Sequence, residues 1–370
     1  GRQLRNALIG VQYVASFGLI IGATFMYLQN YYMQNTPLGY DKDEIIITNM
    51  NNNIRKSRDA FASQVKSFSG IEEVTYAEML LSSQDQYMGW GRKYRDKDIQ
   101  FQCLPVEPSF LKVMNVKISE GRDFREEDKA KRYGTFVFNE RARTEYGLEI
   151  GSLIDSMEIV GFMPDVKFAS FRTEVTPMAF FVWGTNNWGN QPNYAYIKVK
   201  AGSDLRGAMQ HVKTTLQSFD PEYPFNVRFF DEVLNGLYEK ERSLSSLITL
   251  FSLIAIFISV VGVFGLVVFD SEYRKKEIGI RKVLGSTTEE IIVMFNKTYI
   301  RILCVCFVLG APIAGYVVHR WLENFAYKTP MYWWVYLIAF AIIAVITILT
   351  VTFQNWRAAN ENPVHSIKNE

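Results

Sequence analysis

LSSLITLFSLIAIFISVVGVFGLVVF, residues 244–269, runs directly into DSEYRKKEIGIRKVLGSTTEE, residues 270–290, and the fold turns on that junction. The first stretch carries no charged residue and exceeds the roughly 20 apolar residues that cross a hydrocarbon core. The second alternates charges with branched aliphatics, breaks at Gly285 and restarts at Ser286. Together they predict a membrane helix that leaves the bilayer into a polar elbow at 272–290. A short helix is expected up to Leu284, with Ile278, Val283 and Leu284 apolar and Arg274, Lys275, Arg281 and Lys282 in water. Gly285 ends it, and Ser286 with Glu289 forms a Ser-x-x-Glu capping box that opens the next helix. A basic amphipathic segment lying on anionic lipid is the alternative. That alternative needs neither Glu277 nor the Gly-Ser break, so the elbow reads as a docking element.

Further segments share the apolar character. Residues 7–28 are uncharged and too long for the apolar core of a signal peptide, which is about 7 to 15 residues. Residues 302–318 are the centre of a helix expected to begin near Glu289. Residues 331–353 carry Tyr332, Trp333, Trp334 and Tyr336 at one end and Trp356 beyond the other, the aromatic belts of two membrane interfaces. Basic residues in short loops set the orientation. Arg2 and Arg5 precede the first span, the elbow is basic, and Arg357 follows the last, whereas Arg320 and Lys328 alone occupy the loop between spans three and four. Both termini of this segment and the elbow are therefore expected in the cytoplasm, and residues 33–240 outside. Gly18 with Gly22, and Gly262 with Gly265, offer close helix approach, and Pro312 is expected to bend the third span. The central parts of the spans hold no Asp, Glu, Lys or Arg, which disfavours an ion-coupled transporter.

Residues 33–240 are long enough for a domain with its own core. Residues 44–48 read as a strand, 54–68 as an amphipathic helix with Ala60, Phe61 and Val65 inward, and 73–77 as a strand. The same order recurs as strand 194–200, helix 203–219 begun by Ser203 or Asp204, and strand 225–230. Two such units, at 33–83 and 190–230, predict one sheet with both helices on a face. Between them, 84–189 reads as an inserted mostly β lobe, with strands at 99–104, 134–139 and 156–161 and turns at Gly121-Arg122-Asp123 and Met163-Pro164-Asp165. Its charged run at 92–98 reads as a solvated loop. Asp231 is expected to cap a helix through Val233, Leu234, Leu237 and Tyr238 straight into the second span, a stalk at 231–243. The first span, after a cytoplasmic start within 1–32, continues past the lipid through Tyr31, Tyr32 and Met33. The spans and elbow fill 244–356, and 357–370 is a tail. The fold class is thus an α+β membrane protein, four transmembrane helices with a large extracytoplasmic α/β domain between the first two.

Composition excludes several functions. A net charge of +2 is too small for a nucleic-acid partner. Cys103, Cys304 and Cys306 cannot make a disulfide framework. His211, His319 and His365 stand far apart with no thiol or carboxylate at ligand spacing, so no metal site and no catalytic set is expected. No Gly-x-x-x-x-Gly-Lys-[Ser/Thr] phosphate loop occurs.

EIGIRKVLGSTTEEII, residues 277–292, resembles the signature of the FtsX-like permease family, which includes MacB-type ABC transporters. The similarity to the Bacteroidetes branch covers nearly the whole chain, through residues 4–47, 241–285 and 351–370. EGRDF at 120–124 and FVFNERARTEYGLEIGS at 136–152 are similar to family patterns in the outer lobe. The resemblance implies a MacB-type periplasmic domain with a porter-like sheet unit interrupted by the β lobe, in a multi-pass protein of a bacterial inner membrane. It implies that the elbow is a coupling helix seated in a groove of a partner ATPase, through Glu277, Ile278, Gly279, Ile280, Arg281, Lys282, Leu284 and Gly285. Among these, Glu277, Arg281 and Lys282 make polar contacts while Ile278, Ile280 and Leu284 fill the groove. ATP is then bound by the partner subunit and no cofactor by this chain.

The implied partners are a cytoplasmic ABC ATPase dimer, a second permease half or protomer, a periplasmic or outer-membrane protein, and membrane lipid. Because this branch often carries two copies of the span-domain-spans block, the residues are expected to be the C-terminal half of a duplicated permease. The implied function is a permease subunit that couples ATP hydrolysis elsewhere to mechanical work on the periplasmic side, such as efflux or lipoprotein or peptide export. The alternative is an FtsX-like regulator that switches a periplasmic enzyme or sensor and moves no substrate.

Overall fold

A computed structural model describes residues 2–81, 88–167, 171–188, 191–236, 238–273, 281 and 285–359. The chain divides into two compact units, Thr36–Glu239 and the combination of Gly1–Asn35 with Lys240–Glu370.

Helix α1 (Arg2–Asn35) opens the chain and leads into the outer unit. There β1 (Ile45–Asn49) is followed by α2 (Asn52–Lys56), α3 (Arg58–Lys66) and β2 (Ile71–Ala77). Asn51 starts α2 by accepting the Ile54 amide at 3.0 Å. The single helix expected over 54–68 is two, because the Ser57 amide turns back to the carbonyls of Asn53 and Ile54.

The lobe contributes β3 (Met88–Tyr94), β4 (Lys97–Val106), α4 (Phe110–Val113), β5 (Glu120–Gly121), β6 (Thr135–Asn139), α5 (Glu140–Tyr146), β7 (Leu153–Ile154), β8 (Met157–Met163) and β9 (Met178–Val182). The run at 92–98, read as a loop, is instead the hairpin between β3 and β4. Alternation decides this: Trp90 and Tyr94 point inward, and the intervening charges stay wet. After the lobe come β10 (Tyr194–Val199), α6 (Leu205–Phe219), β11 (Arg228–Phe229) and α7 (Phe230–Gly236). Asp204, rather than Ser203, caps α6 by accepting the Gly207 amide at 3.0 Å.

The two strand-helix-strand units join as β11-β1-β10-β2, with every pair antiparallel. Phe61 and Val65 of α3 pack with Ala208, Val212 and Leu216 of α6 against Ile46, Val74 and Ile197 of the strands. The inserted lobe does not form a sheet of its own. It continues the same ladder as β4-β9-β6-β8-β5, joined to β2 at one residue pair, Ala77 with Val106. Its core is aromatic, with Phe101 and Phe138 ring centroids 4.9 Å apart and Trp90 and Phe181 5.1 Å apart. Beside that core Arg122 grips the fully buried Asp128 through bonds of 2.7 and 2.9 Å, and the Arg125 amide adds a third at 2.8 Å. This clamp is the structural content of the EGRDF stretch. Burial pushes the Asp128 carboxyl up, but the Arg122 guanidinium and the Arg125 amide outweigh it and hold it below its usual range.

The membrane-type unit consists of α1 with α8 (Glu239–Tyr273), α9 (Thr288–Leu322) and α10 (Trp333–Ala359). Four helices are long and apolar enough to cross a membrane, over Ile9–Asn35, Arg242–Gly262, Thr288–Leu322 and Trp333–Trp356. The continuous helix expected from Asp231 into the second span is interrupted. Helix α7 ends at Gly236, α8 begins at Glu239, and Tyr238 between them stands in a turn. Gly236 supplies the flexible, poorly helical position at which the break occurs.

Candidate functional site

Of the residues expected to couple to an ATPase, Glu277, Ile278, Gly279, Ile280, Lys282 and Leu284 lie outside the described residues, as do Arg274, Lys275 and Val283. Arg281 and Gly285 are described. Gly285 has φ +94°, in the left-handed region where a glycine is favoured after a helix. The Ser286 amide donates to the Arg281 carbonyl at 2.9 Å, the six-residue closure of a Schellman turn. That closure moves the capping box. Ser286 has spent its amide on the preceding turn, so Thr287 rather than Ser286 becomes the N-cap of α9, with φ −74° and ψ 157°. The Thr287 hydroxyl accepts the Glu290 amide at 3.2 Å, and the Glu290 carboxylate accepts the Thr287 amide at 3.1 Å. Glu289 and Glu290 place negative charge on the first turn of α9, the end that favours it. The exposed Arg281 guanidinium lies 3.1 Å from Met294 Sδ one turn further along α9.

Helix α8 leads into this elbow, and it is attached differently from its neighbours. Only 11% of its most apolar window is buried against the described residues, compared with 39%, 33% and 28% for α1, α9 and α10, so its own unit covers little of its face. Leu250, Phe251, Phe257 and Val261 are among the exposed side chains. Ile256 packs against the apolar cluster of α1, α9 and α10, and the described bonds from α8 to α1 are made by small polar groups. Ser252 donates to the Leu19 carbonyl at 3.0 Å, and seven residues on, two turns along the same face, Ser259 meets Ser16 hydroxyl to hydroxyl at 2.8 Å. One turn further, Gly262 lies under Gln12, where a Cβ would stand 2.5 Å from Oε1. Beside the seam a cavity of about 10 Å³ is walled by Ile256, Val260, Ile343 and Ile346 as well as by Tyr13, Ser16, Ser259 and Thr347.

Helices α1, α9 and α10 are joined by interlocked rings, with hydroxyl bonds beside them from Tyr13 to Thr347 at 3.0 Å and from Asn296 to Thr352 at 2.9 Å. Phe17 lies 5.2 Å from Phe307, which lies 5.1 Å from Phe340, and Phe25 meets Tyr336 at 6.0 Å. A Cβ on Gly310 would come 3.4 Å from the Val14 backbone, so α1 and α9 nearly touch there. At the end of α1, the buried Gln29 donates to the Tyr327 carbonyl at 3.0 Å and accepts the Thr329 amide at 2.8 Å, fixing the loop between α9 and α10. Of the glycines expected to pack helices, Gly18, Gly22 and Gly265 have no described neighbour within 4 Å of a Cβ, and Gly262 alone does. Gln12, Ser16, Ser252 and Ser259 were not legible as a seam. Ser252 also bonds its own Ile248 carbonyl at 2.7 Å, and any serine in a helix has that option, so composition does not reveal a partner. Among the described residues no group of His, Cys, Asp and Glu could hold a metal ion.

Residues 249–363 match the family model of the FtsX-like permease C-terminal domain, and residues 9–215 match that of the MacB-like periplasmic core domain. The chain is 23% identical over 230 residues to the macrolide export ATP-binding/permease protein MacB of Chromobacterium violaceum, and 23% identical over 233 residues to that of Escherichia coli K12. Each match covers 59% of this chain and 35% of the relative, so the chain spans about a third of the length of the curated relatives it matches. Among solved structures, the periplasmic region of MacB from Actinobacillus actinomycetemcomitans aligns with a TM-score of 0.41 at 14% identity, over 54% of this chain and 95% of that one. The extracellular domain of the noncanonic ABC-type transporter YknZ from Gram-positive bacteria aligns at 0.36 and 12%, over 50% and 99%.

Proposed function

This chain belongs to the FtsX-like permeases with a MacB-like periplasmic core domain, and we propose that it receives movement from a separate cytoplasmic ATPase at the 272–290 elbow. In this reading α8 carries the displacement to the outer unit, where it does mechanical work such as expelling a substrate or extracting a lipoprotein or peptide. The observation that carries it is the attachment of α8. One uninterrupted helix runs from Glu239 to Tyr273, joining the end of the outer unit to the elbow in the chain, and among the described residues its bonds to α1 are made by hydroxyls beside a glycine. A rod held that way changes position at small cost, because each hydroxyl bond within a membrane contributes only about 0.6 kcal/mol.

The polar members Glu277, Arg281 and Lys282 would meet the ATPase, with both termini of this segment in the cytoplasm and the outer unit in the periplasm. A second permease half or protomer would complete the membrane assembly. The test is charge reversal at Glu277→Lys together with Arg281→Glu. ATPase turnover is expected to become independent of substrate while the permease still folds and inserts. Unchanged coupling would overturn the reading.

A further inference from the structure

The outer lobe has a groove that the coupling scheme leaves unused. It measures about 520 Å³, within the roughly 300–1,000 Å³ of ordinary ligand sites. Its floor is the outward face of the β3–β4 hairpin. Register places Gly89 opposite Gln102 and Gly91 opposite Gln100, so two glycines and two glutamines form a block on one face. Tyr146 and Thr176 complete the walls, and none of the described lining residues is charged.

Among the described residues nothing explains the glycines. Neither has a positive φ, and a Cβ on either would meet no described atom within 4 Å. Glycine inside a strand weakens it, and one recognised reason to keep it is close approach of a ligand or another backbone. The glutamines are equally unspent, for neither side-chain amide bonds another described residue. Tyr146 is committed, donating to the Gln100 carbonyl at 2.6 Å, and the Gln102 amide goes to the Pro177 carbonyl at 2.9 Å. These bonds fix the backbone of the block and leave its two carboxamides facing outward.

We propose that this groove binds an extended, uncharged polypeptide segment laid across the glycine floor. A carboxamide has one acceptor and two donor hydrogens, so it can pair reciprocally with a peptide group. Two of them on alternate residues of a strand stand about 6.6 Å apart, the interval at which an extended chain repeats equivalent peptide groups. The bare glycines admit the ligand backbone to contact distance. A neutral sugar would be stacked on an aromatic face, and here Trp90 and Phe101 turn their rings into the lobe core, 8% and 4% exposed, which leaves the half-buried Tyr146, tied by its hydroxyl to the Gln100 carbonyl, as the one ring among the described residues of the wall. This site goes beyond the coupling reading and does not depend on an ATPase.

The test uses the full chain in detergent micelles, without nucleotide. The probe is a blocked peptide of Ser, Thr, Asn and Gln carrying a neutral dye, followed by fluorescence anisotropy. Saturable binding is expected in the micromolar to millimolar range. Gly91→Val should weaken it at least about tenfold while leaving the melting temperature unchanged or higher, since valine suits a strand. Gln100→Ala with Gln102→Ala should weaken it comparably, which guards against a valine variant that fails to fold. Maltohexaose should not compete. Absence of saturable binding, equal binding by the glutamine double variant, or full competition by the sugar would each overturn the proposal.

Discussion

Helices α8 and α9 both cross the membrane-type unit, yet they are bonded to α1 by different chemistry. Helix α9 meets α1 through interlocked rings and a glycine at which the backbones nearly touch. Helix α8 meets the same α1 through Ser252, Ser259 and Gly262. Interlocked rings have one good arrangement, because shifting them opens voids that lipid cannot fill. Hydroxyls spaced by two turns have neighbouring arrangements that cost little, since each can fall back on its own helix carbonyl. One helix pair is therefore a frame and the other a slide.

The contrast can be broken or sharpened by substitution. Phe17→Ala, in the frame, is expected to cost the membrane unit about 3 kcal/mol, read by chemical unfolding in micelles. Asp128→Asn, in the outer lobe, should cost that unit about 2 kcal/mol by leaving Arg122 half-paired, without touching the membrane helices. Because the Asp128 carboxyl is held below its ordinary range, its contribution is present above about pH 4 and is lost as pH falls further. Acid titration of the lobe, followed by near-ultraviolet circular dichroism, should show this loss in the native protein and not in Asp128→Asn. Thr287→Ala removes one half of the capping box and should destabilise the start of α9 by about 1 kcal/mol, visible as faster amide exchange at Glu290. Ser16→Ala should cost only about 0.6 kcal/mol in the same unfolding assay, yet alter coupling. A cost as large as that of Phe17→Ala would mean that the slide is a second frame.

Much of the architecture was legible because it follows from local rules. The spans announce themselves by uncharged length, and the paired strand-helix-strand units by alternation and by the apolar stripes of α3 and α6. What was not legible depends on contacts distant in the chain or on competition for one group. The lobe enters the main sheet through Ala77 and Val106, a pairing no spacing specifies. The capping box moved by one residue because the Ser286 amide was drawn back to the Arg281 carbonyl. The hairpin at 88–106 was obscured by surface charge, whose alternation with Trp90 and Tyr94 was the available signal. The serine seam resembles any other helical serines until α1 is laid beside it.

The slide is tested most directly by pulsed electron spin resonance on the permease bound to the ATPase proposed above, with Cys103, Cys304 and Cys306 replaced and spin labels placed in pairs on exposed positions. One pair joins α1 to α8, at Val11 and Phe257, and the other joins α1 to α9, at Val11 and Val308. Trapping the ATPase with ATP and vanadate should shift the α1–α8 distance distribution and leave the α1–α9 distribution in place. Equal shifts in both pairs, or no shift in either, would contradict the account.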